Sequence, residues 1–137
     1  MLIALHACDT ATDDAIYKGI KAEADLIVVA PCCHKQIRRE IEAGKAKNEL
    51  NVILKHGIFM ERQAEMVTDA IRALILQANG YTTKIFEFIS GEHTAKNIMI
   101  VASRNKNGKS NREENLKKIE DTKSFFGIKQ HYLETLF

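Results

Sequence analysis

Two short apolar runs, residues 2–7 and 26–30, each end abruptly in polar, chemically reactive side chains. Both runs are rich in Ile, Val, Leu and Ala without regular alternation, which is typical of strands buried on both faces of a parallel sheet. Ligands of such sheets bind outside the carboxyl ends of the strands. The sequence therefore predicts a functional rim formed by residues 6–9 and 31–35.

The remaining pattern predicts an α/β domain. Thr10 with Asp13 three residues later is typical of a capping box, and apolar residues then recur at helical spacing, so residues 2–30 read as a strand, a helix and a second, parallel strand. Further helices are predicted at residues 35–43, 59–79 and 110–126, and an antiparallel hairpin from strands 81–89 and 97–102. Residues 45–57 are predicted to be a loop, and Gly80 to end the long helix in a left-handed conformation.

Composition limits the class of protein. With 137 residues, of which 45% are hydrophobic, the chain has the size of a single domain with a sizeable core, residues 1–137. Its 20 basic and 18 acidic residues nearly balance, so bulk charge does not favour nucleic-acid or membrane binding. Three cysteines, two of them adjacent, are typical of reduced thiols. We expect a cytoplasmic protein with no signal peptide and no membrane association.

The order of elements and two short motifs resemble the C-terminal half of a class I S-adenosylmethionine-dependent methyltransferase. The His6-Ala7-Cys8-Asp9 and Pro31-Cys32-Cys33-His34 segments are similar to the paired HACD and PCCH signatures of a subgroup related to tRNA ribose 2′-O-methyltransferases. Residues 61–63 and 92–97 also resemble bacterial members of that subgroup. The resemblance implies an α/β fold that is half of a Rossmann-like methyltransferase fold, with parallel strands ending in an antiparallel hairpin and helices on both faces.

The chain departs from such enzymes where they hold the cofactor. It has neither the glycine-rich turn after a first strand nor the acidic residue after a second strand that normally bind S-adenosylmethionine. We therefore expect a fragment that lacks the N-terminal cofactor-binding half, binds S-adenosylmethionine only together with that half, and is inactive in isolation. The resemblance implies tRNA or another RNA as the acceptor substrate.

The resemblance also implies an acceptor site at the predicted rim. The turn after the first run would lie between cofactor and acceptor, where His6 or Asp9 takes the proton of a hydroxyl or amine acceptor. The residues expected to bind substrate are Cys8, Thr10, Pro31, Cys32, Cys33, His34, Lys35, His93, Lys96 and Asn97. The simpler interpretations are strand-end packing for the cysteines, helix capping for Asp9 and a solvated hairpin loop for residues 93–97.

A function from a different class is open to the same residues. Cys8, Cys32, Cys33 and His34 offer four nitrogen and sulfur ligands, so a non-catalytic metal-binding or thiol-redox module is the alternative to a methyltransferase. The usual spacing of two residues between zinc-binding cysteines is absent, and we therefore predict no metal.

The first apolar run is predicted to form an exposed sheet edge. In a complete class I sheet a further strand would cover residues 2–7, and this run contains neither Lys nor Pro to protect an open edge. We therefore expect the fragment to form a homodimer through this strand.

Overall fold

The computed structural model describes residues 1–44, 49–88, 97–107 and 110–137. Its strands are β1 (Leu2–Leu5), β2 (Leu26–Ala30), β3 (Tyr81–Glu87) and β4 (Ile98–Arg104). Its helices are α1 (Thr10–Lys21), α2 (Lys35–Gly44), α3 (Asn51–Leu54), α4 (Gly57–Ala78) and α5 (Arg112–Phe126), followed by a 3-10 helix at Tyr132–Leu136.

The strands form one open, four-stranded sheet in the order β1-β2-β4-β3. β1 and β2 are parallel, with Leu2 opposite Ile27, whereas β4 runs antiparallel to both β2 and β3. β3 consequently has the same direction as β1 and β2, and the last strand of the chain lies inside the sheet. The predicted α/β fold, half of a Rossmann-like arrangement with parallel strands followed by an antiparallel hairpin, is confirmed.

The core lies on one face of the sheet, where Ile27 and Val29 of β2 adjoin Ile100 and Ala102 of β4. Helix α1 packs against this face so closely that a Cβ at Gly19 would lie 2.8 Å from Cδ1 of Ile27. Helix α4 covers the β3–β4 side of the same face, and α2, α3 and α5 pack on α4. A glycine at position 19 therefore permits the contact between helix and strand that defines the core.

The opposite face of the sheet is apolar, and none of the described helices covers it. Ile3 and Leu5 of β1 are each 55% exposed, Phe86 is 44% exposed, and Val28 and Val101 are half-buried. This differs from the expectation of helices on both faces. α1 lies in the connection from β1 to β2, and α4 lies in the connection from β2 to β3. Both connections join parallel strands and cross the sheet in the same direction, so right-handed crossovers place both helices on the same face.

Local structure departs from the sequence-based expectations at two places. The predicted capping box at α1 is wrong: Asp9 is the N-cap without a side-chain cap, the Thr12 hydroxyl donates to the carbonyl of Ala7, and Asp13 pairs with Arg72 instead. The segment predicted as a loop contains helix α3, since Leu54 buries its side chain in the core.

The long helix and its end agree with the sequence pattern. α4 spans 22 residues, and Gly80, which follows its C-cap Asn79, has the positive φ of 88° that glycine tolerates best. No helix within the four described segments is long and apolar enough to cross a membrane.

Candidate functional site

The candidate site is built where β1 and β2 end side by side. The backbone N–H of His6 donates to the carbonyl of Ala30 at 3.1 Å, which extends the parallel pairing by one residue. The turn after β1 therefore lies directly beside the turn after β2. This pairing brings the two motifs together although they are more than twenty residues apart in sequence.

Three cysteine thiols meet between these turns and form what we call the thiol cluster: Cys8, Cys32 and Cys33. Sγ of Cys8 is 3.2 Å from Sγ of Cys32, which is 3.7 Å from Sγ of Cys33. Hydrogen bonds from the Cys32 and Cys33 thiols lower the pKa of the exposed Cys8. Burial and the neighbouring thiols raise the pKa of Cys32 to about 12, so the Cys8 thiol ionises more readily than that of Cys32.

His34 points away from the thiol cluster. Its imidazole is buried, with Nε2 3.3 Å from Oδ2 of Asp69 and Nδ1 3.9 Å from Oε1 of Glu65. Among the described residues, none forms a hydrogen bond with Nδ1. The four ligands predicted for the alternative function are thus not brought together, because α4 draws His34 to its own carboxylates.

Arg72 of α4 ties the rim to the core. The side chain is 1% exposed, and its guanidinium donates to Oδ1 of Asp13 at 2.7 Å, to Oδ1 of Asp69 at 3.0 Å and to the backbone carbonyl of Asp9 at 3.0 Å. Burial opposes the charge of Arg72, but the carboxylates of Asp13 and Asp69 outweigh it and raise its pKa above the ordinary value. The network fixes the start of α1 against α4.

Asp9 occupies a backbone conformation that suits glycine. Its φ of 47° and ψ of −116° lie outside the regions that residues with a side chain prefer. Its carboxylate Oδ1 accepts a long hydrogen bond of 3.4 Å from the backbone N–H of Gln36. Strained residues of this kind cluster at functional sites, where the surrounding structure holds them.

Two clefts open beside the rim. One of about 430 Å³ lies between α4 and the β3–β4 hairpin, and its polar lining consists of Arg62, Glu65, Asp69, Glu87 and Asn97. A second, of about 510 Å³, lies between the start of α1, helix α2 and the C-terminal segment, and includes Asp9 and Thr10. Asp69 belongs to the first cleft and also contacts His34, so that cleft adjoins the turn after β2.

The predicted site residues are therefore divided among several places. Cys8, Cys32 and Cys33 meet, Asp9 and Thr10 line the second cleft, and Asn97 lines the first. His6 and Lys35 are exposed near the rim, and Pro31 is buried. His93 and Lys96 lie outside the described residues.

The sequence reasoning missed Glu65, Asp69 and Arg72, which α4 carries to the rim. The apolar stripe of α4 predicts a helix that faces the core and does not by itself indicate that charged residues beside the stripe reach the rim. Asp69 and Arg72, three residues apart within a strongly apolar stretch, were the available signal, because buried charges in a helix are usually paired.

Residues 1–40 match a family model described as a methyltransferase domain. The matched segment contains β1, α1, β2 and both polar turns, and the match supports a methyltransferase domain and a methyltransferase-type function. No curated protein and no solved structure gives a significant match to the chain.

Methyltransferases in general use S-adenosylmethionine, but the described residues do not provide a site that fits it. None of the five described glycines lies in the turns after β1 and β2. The cradle of backbone amides that a glycine-rich turn offers an S-adenosylmethionine carboxylate is thus absent from these turns. What the rim does offer is polar and ionisable side chains.

Proposed function

We propose that residues 1–137 are the C-terminal, acceptor-side half of a methyltransferase that uses S-adenosylmethionine, with tRNA or another RNA as its substrate. The observation that carries the proposal is the pair of polar turns at the carboxyl ends of the parallel strands β1 and β2, within the segment that matches the methyltransferase model. In open α/β sheets this is where substrates bind.

The open face of the sheet supports the assignment to one half of a larger fold. Ile3 and Leu5 expose apolar surface on the face without described helices, and β1 is an edge strand of the described sheet. A groove of about 300 Å³ runs along that edge, lined by β1 and by residues 11–18 of α1. A further strand against β1, with helices over Ile3 and Leu5, would bury both surfaces. We assign these surfaces to the cofactor-binding half.

The first cleft favours an acceptor that donates hydrogen bonds. Three carboxylates, those of Glu65, Asp69 and Glu87, belong to this cleft; Glu65 pairs with Arg62, and Asp69 pairs with the buried Arg72. With one carboxylate more than guanidinium groups, such a lining favours an amine or hydroxyl group over a phosphate, so the acceptor atom would be on a base or ribose and not on the backbone phosphate. His6 and Asp9, on the turn after β1, are the proposed proton acceptors; Asp9 lines the second cleft and not the first.

The experiment measures transfer of a radiolabelled methyl group from S-adenosylmethionine to RNA. The full chain is tested alone and together with a polypeptide that supplies the glycine-rich half, encoded upstream or expressed separately. We expect no micromolar binding of S-adenosylmethionine by the chain alone and methylated RNA when both halves are present. With both halves, an Asp9→Ala, His34→Ala double variant should lose turnover, whereas the exposed-surface variant Lys117→Ala should keep it.

Three outcomes would contradict different parts of the proposal. Tight cofactor binding by the chain alone would refute its assignment as a half. Methylation of protein or of a small molecule, with RNA unlabelled, would refute the RNA acceptor. Full activity of the double variant would mean that the polar turns are structural.

A further inference from the structure

The thiol cluster contains every cysteine of the chain. Cys8 comes from the turn after β1, whereas Cys32 and Cys33 come from the turn after β2, and the chain has three cysteines in total. Their Sγ atoms all lie within 4.8 Å of one another. Pairing of β1 with β2 therefore gathers at one point all the thiols that the sequence supplies.

The spacing of the sulfur atoms is that of ligands around a single ion. With metal–sulfur bonds of about 2.3 Å, sulfur atoms around one zinc ion lie roughly 3.8 Å apart. The observed separations are 3.2 Å between Cys8 and Cys32 and 3.7 Å between Cys32 and Cys33. An ion at the centre thus requires sulfur movements of less than about 1 Å, which a change of side-chain rotamer or torsion can supply.

Core packing does not account for this arrangement. Cys8 is an exposed residue, and Cys32 and Cys33 are half-buried residues, so the core does not enclose the cluster. None of the three belongs to the buried hydrophobic cluster. These adjacent thiols can therefore bind a ligand that arrives from solvent, which fully buried cysteines cannot do.

In place of the expectation of no metal that the sequence spacing gave, we propose that Cys8, Cys32 and Cys33 bind one thiophilic cation of the closed-shell type, Zn²⁺ or Cu⁺, through three thiolates. Thiolate ligands select these ions over Mg²⁺ and Ca²⁺. Within the described segments no histidine, cysteine or carboxylate adds a fourth ligand to the three thiols, and His34 forms a hydrogen bond with Asp69 instead. Zn²⁺ would complete its coordination with solvent at the exposed side of Cys8, whereas Cu⁺ would be held by the three sulfurs alone. Binding displaces the thiol protons and changes no oxidation state.

The test is a competition titration of the full chain, reduced with a phosphine under anaerobic conditions. Zn²⁺ and Cu⁺ are titrated in separate arms against chromophoric chelators selective for each ion, which distinguishes the two. We expect one equivalent bound per chain in one arm and, with Co²⁺ as a spectroscopic substitute for Zn²⁺, a thiolate charge-transfer band. Cys8→Ser should weaken binding at least about tenfold, because one of three ligands is lost.

Two variants make the result specific. His56→Ala removes an exposed histidine remote from the thiol cluster and should bind as the wild type does. The Cys8→Ser, Cys32→Ser, Cys33→Ser triple variant, whose fold is checked by circular dichroism, should bind neither ion with measurable stoichiometry. The proposal is overturned if the reduced wild type takes up less than one equivalent of both ions, or if the folded triple variant retains the binding.

Discussion

Replacing Arg72 with methionine should destabilise the protein strongly while removing little volume. The guanidinium is 1% exposed and makes three charge-assisted hydrogen bonds of 2.7 to 3.0 Å, two of them to the carboxylates of Asp13 and Asp69. Removing one partner of a buried ion pair strands the opposite charge and costs about 3–5 kcal/mol. That is a large share of the roughly 5–15 kcal/mol by which domains of this size are stable.

Urea unfolding followed by circular dichroism at pH 7 measures the loss, with the free energy of unfolding taken by linear extrapolation. The matched control is Lys118→Met, which removes an ion pair with Glu114 whose two side chains are each 53% exposed. Because exposed pairs of this kind contribute little, the control should cost less than about 1 kcal/mol.

A second variant separates the stranded charges from lost packing. Combining Arg72→Met with Asp13→Asn and Asp69→Asn removes the unpaired carboxylates and should recover part of the lost stability. If Arg72→Met and Lys118→Met have free energies of unfolding within 1 kcal/mol of each other, the guanidinium is not what holds α1 and α4 together at the rim, and the reasoning fails.

Three further predictions concern the rim, the C-terminal segment and the sheet edge. Because φ at Asp9 is 47°, Asp9→Gly should be about 1 kcal/mol more stable to urea than Asp9→Ala, which also lacks the carboxylate; equal stabilities would contradict the strain. Burial lowers the pKa of His131 from 6.5 to about 3. Between these pH values the unfolded chain binds a proton at His131 that the folded chain does not. The free energy of unfolding should therefore fall by up to about 1.4 kcal/mol per pH unit on acidification below pH 6. The Leu133 N–H donates a hydrogen bond to Nδ1 of His131, and an asparagine side chain can also accept it. In His131→Asn the free energy of unfolding should therefore depend less steeply on pH, and an unchanged slope would exclude His131 as the cause. If the isolated chain forms a homodimer through β1, light scattering should give twice the mass of one chain. Ile3→Lys should reduce that mass to one chain, and Leu116→Lys at another exposed position should leave it unchanged. A monomeric wild type would contradict the homodimer.

Sequence alone was sufficient for elements whose signal is local. The apolar runs at β1 and β2 and the stripe along α4 identify these elements because continuous apolar runs and helical periodicity are properties of neighbouring residues in the sequence. The glycines after α4 and α5 mark both helix ends, since Gly80 and Gly127 take the positive φ angles that such ends require. The position of the polar turns at the carboxyl ends of two parallel strands followed from the same local signals.

The composition of the site required the tertiary structure. Which of Cys8, Cys32, Cys33 and His34 would meet depended on α4, whose Asp69 and Glu65 draw the imidazole away from the thiols. Likewise, Arg72 and Asp13 are 59 positions apart, and no local pattern indicates that they pair. Contacts between residues so distant in sequence are decided by how whole elements pack. The handedness of the connections placed both crossover helices on one face of the sheet, and no described helix lies on the other.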